Sequence, residues 1–105
     1  MVDEHLSTVT VCGRISEKPS LSETERGELL AHFWVQLGDN SVWCVAIGHL
    51  ADNVQRFGAP GAEVIGWGRL DWPHGQPDQP FVRLERLAFT NPREVAALMN
   101  WDMQP

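Results

Sequence analysis

The chain has 105 residues, a net charge of −6 and 43% hydrophobic residues, which fits one domain around one core. No apolar run approaches the roughly 20 residues of a membrane span, and the acidic balance argues against a simple cationic nucleic-acid binder. The opening stretch MVDEHLSTV lacks the basic and apolar regions of a secretory signal, which predicts a cytoplasmic protein.

Residues 7–15, STVTVCGRI, alternate: Val9, Val11 and Ile15 share one face, and Thr8, Thr10, Cys12 and Arg14 the other. This is the pattern of a first strand. Pro19 closes it, and SLSETERGE (20–28) reads as a polar, acidic connection. LLAHFWVQL (29–37) is a second strand and VWCVAIG (42–48) a third, and the turn chemistry of Gly38, Asp39, Asn40 and Ser41 joins them into a hairpin. HLADNVQRF (49–57) predicts a short helix, with Leu50, Val54 and Phe57 at i, i+4 and i+7 and Gly58 as its stop. AEVIGWGRL (62–70) and FVRLERLAF (81–89) are the fourth and fifth strands. Three prolines and a glycine mark the segment between them, DWPHGQPDQP (71–80), as an exposed loop. Residues 1–92 form the expected single domain, and 93–105 a short C-terminal tail with a turn or two of helix.

An all-β chain of five strands, with one short helix between the third and fourth, has the element order of an OB-fold barrel. Several spacings go further. Val9, Val11, Gly13, Ile15 and Pro19 come first, then Gly27, Ala31 and Phe33, then a tryptophan strand leading to Gly48, Leu50, Ala51 and Asp52, then Gly61, Val64, Gly68 and Leu70. In that order they resemble the bacterial single-stranded-DNA-binding protein family, over about residues 6 to 90. The resemblance extends to the primosomal protein B branch. It implies a non-catalytic OB domain that binds single-stranded DNA, or RNA, with little sequence preference, in replication, recombination or repair. It also implies a homodimer or homotetramer and contacts with replication or recombination proteins. The hairpin between the second and third strands is shorter than the family's usual one. The segment after the fifth strand carries no long linker with a strongly acidic tip, and the basic content is low. These departures imply a reduced domain in an accessory role.

Alternation sorts the side chains. Phe33, Val35 and Leu37 enter the barrel, so His32, Trp34 and Gln36 face out. Cys44 and Ala46 are small enough for the interior, which leaves Trp43, Val45 and Ile47 outside. Val64, Gly66, Gly68 and Leu70 point in, and Ile65, Trp67 and Arg69 out. Trp72 stands at the mouth of the loop between the fourth and fifth strands. A tryptophan outside a small barrel either stacks on a base or buries against another subunit. The candidate nucleic-acid contacts are Trp34, Trp43, Trp67 and Trp72, with Ile47 beside them and Arg14, Arg69, Arg83 and Lys18 as phosphate contacts. Trp101, in the tail, reads as a packing or partner anchor.

Ten acids and all eight Lys and Arg residues fall within 5–93, so the body is close to neutral and the termini hold the rest of the acidic excess. Seven of the eight cations are arginines, which stack as well as pair. His5, His32, His49 and His74 show no metal-ligand spacing with each other or with Cys12 and Cys44. No catalytic set and no cofactor is expected, and both cysteines are expected to be reduced thiols. The alternative function is a protein–protein interaction module, favoured by the acidic Glu17, Glu23, Glu25 and Glu28, in which the outward tryptophans form the interface.

Overall fold

A computed structural model describes residues 8–73 and 78–90. His5, His74, Trp101 and the 93–105 tail lie outside the described residues. The elements follow in the order β1 (Thr8–Ile15), β2 (Ser20–Glu23), β3 (Leu29–Leu37), β4 (Asn40–Ile47), α1 (His49–Phe57), β5 (Glu63–Asp71) and β6 (Phe81–Thr90). Five strands close a ring in which β1 meets β5, β5 meets β6, β6 meets β4, β4 meets β3, and β3 returns to β1. Each of these pairings is antiparallel except β4 with β6. A closed five-strand barrel with these connections is the OB fold.

The ring closes because β1 changes partner along its length. Its residues from Thr8 to Arg14 pair with β5, while Arg14 and Ile15 also pair with Gln36 and Val35 of β3. Gly13 sits at the crossover. A methyl group there would collide with the Gln36 carbonyl oxygen and come within 2.7 Å of Leu37 Cδ2, so only glycine lets the two backbones approach.

Inside the ring, Val11, Ile15, Ala31, Phe33, Val35, Cys44, Ala46, Val64, Val82 and Leu84 are buried. Across β3 and β4 the bulky Phe33 lies opposite the small Cys44, and Ala31 lies opposite Ala46. The barrel interior therefore holds one member of each adjacent aromatic or cysteine pair, and the other is forced outward. The hairpin turn is tighter than expected. Gly38 (φ 64°) and Asp39 alone form it, and Asn40 and Ser41 already belong to β4.

Two expectations need correction. Residues 20–23 of the acidic connection form a strand, β2, which pairs with Leu29–His32 of β3, so the described residues hold six strands rather than five. Its four residues are all exposed, which removes the alternation that marks a half-buried strand. Thr24 turns the chain. Its Oγ1 accepts the Glu28 N–H at 3.1 Å, its carbonyl accepts the Gly27 N–H at 2.9 Å, and Gly27 takes φ 82°. The helix, in turn, buries Ala51 and Val54, whereas Phe57 is 58% exposed and meets Phe89 in a tilted ring contact, with centroids 6.1 Å apart. Gly58 donates its N–H to the Val54 carbonyl at 2.8 Å where α1 ends.

Candidate nucleic-acid interface

The outer face of the β3–β4 hairpin is a ladder of cross-strand pairs: Leu30 with Ile47, His32 with Val45, Trp34 with Trp43, and Gln36 with Ser41. Parallel pairing of β4 with β6 sets Val45 beside Arg83 and Cys44 beside Val82, which brings Phe81 up to Trp43. One aromatic row thus crosses three neighbouring strands. Trp34 and Trp43 stack at 6.2 Å with 22° between planes, and Trp43 meets Phe81 at 5.5 Å. His32 touches the same Trp43 edge-on at 6.1 Å. Trp34 keeps 37% of its surface exposed, so the row ends in an open indole face. Apolar and partly wet, and with the two indoles near-parallel at its open end, such a row offers stacking to any nucleobase.

Of the predicted contacts, the fold brings Trp34, Trp43, Ile47 and Arg83 to this one face. Arg14 borders it, since its register partner on β3 is Gln36. Trp67 also points outward, but from β5, where Arg86 lies 5.1 Å over its ring, and no ring contact joins it to Trp34 or Trp43 among the described residues. Trp72 is 48% exposed just past β5 and, among the described residues, makes no ring contact with the row. Lys18 is elsewhere, in a groove with Pro19, Leu21, Val54, Arg56 and Pro60 at the end of α1. Val45 faces outward as expected yet is buried, covered by its neighbours.

Arg14, Arg69 and Arg83 face outward as expected, and each of them meets a carboxylate. Arg14 Nη2 lies 3.1 Å from Glu63 Oε1, Arg69 Nε 3.5 Å from Glu85 Oε2, and Arg83 Nη2 3.9 Å from Asp71 Oδ2. Every one of these side chains is between 39% and 68% exposed, so the pairs are solvent-screened and each contributes about 0–1 kcal/mol. They lower the net positive charge that the face presents without locking it.

Phe81 is the residue that sequence reasoning missed. Its signal was available: Val82 and Leu84 point inward, so alternation puts Phe81 out, directly after the proline-rich loop. Below the row, burial pushes the Cys44 thiol up to about 12, so it is a neutral, inert core group. Cys12 is exposed, and both thiols are free. Among the described residues no cluster of His, Cys, Asp and Glu is placed to hold a metal, and no helix is long and apolar enough to cross a membrane.

Comparison with known proteins bears on the fold. No protein-family model and no curated protein matches the chain. Among solved structures, the SSB domain of a Synechococcus sp. protein matches with a TM-score of 0.69 and 20% identity, over 82% of this chain and 98% of that one. A deletion mutant of the single-stranded DNA binding protein from Thermus aquaticus matches with a TM-score of 0.72 and 20% identity, over 81% of this chain and 41% of that one. At this identity the likeness establishes the fold: the barrel is an OB fold of the kind found in bacterial SSB domains.

Proposed function

On a barrel with this SSB-like OB fold, we propose that the Trp34–Trp43–Phe81 row binds single-stranded DNA by stacking, with little sequence preference and without catalysis. The observation that carries the reading is the continuity of the row across β3, β4 and β6, with an open indole at its end. Stacking contributes roughly 1–3 kcal/mol per base and tolerates every base, so two or three platforms suffice for useful affinity on a weakly acidic body. Arg83 and Arg14 flank the row as phosphate contacts, and Ile47 extends its apolar floor. Trp67, Trp72, Arg69 and Lys18 are proposed outer contacts for a longer strand. The proposal includes RNA as a second single-stranded ligand, and an accessory role in replication, recombination or repair in the cytoplasm. It also includes a homodimer or homotetramer of a 1–92 domain with a 93–105 tail. Exposed Leu21 and Phe57 supply apolar surface for such an assembly.

The pairing of three outward arginines with the chain's own carboxylates favours a second reading, in which the row packs on a protein partner. Intrinsic tryptophan fluorescence during titration with oligo-dT separates the two. Stacked bases are expected to quench it saturably. A flat titration with a folded protein would remove the DNA reading and leave the partner surface.

A further inference from the structure

We infer that Asp71 guards Arg83, and that this guard makes the aromatic face select unpaired bases over ligands that offer phosphates alone; the inference rests on the DNA reading of that face. Asp71 is the last residue of β5, and its register partner on β6 is Phe81, the end of the aromatic row. Its Oδ1 accepts the Trp72 backbone N–H at 2.8 Å, which pins the carboxylate where the strand ends. Its Oδ2 stands 3.9 Å from Nη2 of Arg83, two residues beyond Phe81. A strand with bases on the row passes its phosphates by Arg83 and meets the carboxylate there. Both side chains are roughly half exposed (55% for Arg83, 43% for Asp71), so the pair is weak and the guard is graded.

The consequence is selectivity. A single strand gains stacking energy and can displace Asp71 from Arg83. A duplex keeps its bases paired, offers this face only phosphates, and finds the nearest arginine already opposed. Arg69–Glu85 and Arg14–Glu63 repeat the arrangement at the borders of the face.

Asp71→Asn removes the charge and keeps an oxygen to accept the Trp72 amide. Affinities for oligo-dT and for a duplex of equal length are measured across salt for the wild type, Asp71→Asn, Arg83→Gln, the double variant and Trp34→Ala. Asp71→Asn is expected to tighten oligo-dT binding about twofold to fivefold at low salt and to steepen the slope of log affinity against log salt by about 0.7, one phosphate on a single strand. Duplex affinity rises by a larger factor, and adding Arg83→Gln cancels both gains. An unchanged affinity and slope in Asp71→Asn, or a gain that survives Arg83→Gln, overturns the guard. If Trp34→Ala still weakens oligo-dT binding in that case, the stacking platform stands without it. A gain in Asp71→Asn with no loss in Trp34→Ala shows that Asp71 opposes Arg83 but overturns the inferred selectivity for unpaired bases together with the platform. Absence of binding by every protein overturns both.

Discussion

Trp43 touches three rings, those of Trp34, Phe81 and His32, whereas Trp34 holds 37% of its surface in solvent. Their substitutions should therefore differ. Trp43→Ala loses packing in aromatic pairs that contribute about 0.5–1.5 kcal/mol each, so it lowers the melting temperature as well as any DNA affinity. Trp34→Ala loses only one of those pairs, so it costs less stability and reports on stacking more cleanly. Cys44 beneath them carries a prediction of its own. Burial raises its folded pKa from 9.0 to about 12, so the fold favours the neutral thiol. That contribution is complete below about pH 9 and is lost as pH rises from 9 towards 12. Urea melts across the window should show wild-type stability falling about 1.4 kcal/mol per pH unit faster than that of Cys44→Ala. Parallel pH profiles for the two would contradict the assignment.

At the scale of the element, the crossover of β1 is the point most sensitive to a small change. Gly13→Ala places a methyl against the Gln36 carbonyl and Leu37. The overpacking should cost about 1–3 kcal/mol, seen as a lower urea midpoint, because the obstacle is partly backbone and cannot turn aside. A midpoint equal to that of the wild type would show that β1 and β3 can part there without penalty. The β3–β4 hairpin was the most legible part of the chain. The alternation of side chains along a strand told Phe33 from Trp34 and Cys44 from Trp43, because a barrel interior accepts only one face of each strand. β2 was not legible, since no residue of it is buried and an edge strand leaves no hydrophobic rhythm. The ion pairs were hidden for another reason. Arg14 and Glu63 are 49 residues apart, and Arg69 meets Glu85 beside the register shift that follows Trp67. Such pairings depend on register and a bulge, which no spacing in the sequence encodes.

For the whole molecule, a net charge of −6 and a face whose arginines are opposed leave little electrostatic attraction for DNA. The affinity proposed here must then come mainly from rings, with a salt dependence shallower than that of a basic binder. That is why the aromatic row is the place to test it. Oligo-dT affinity of Trp34→Ala, measured beside the wild type at one salt concentration and after a melt shows the variant folded, addresses the row most directly. Loss of one stacked base predicts a drop of about 1–3 kcal/mol, roughly fivefold to over a hundredfold. Phe33→Ala, one residue away and only 2% exposed, serves as the contrast, since it should cost about 3–5 kcal/mol of stability. An oligo-dT affinity in folded Trp34→Ala equal to that of the wild type would contradict the account.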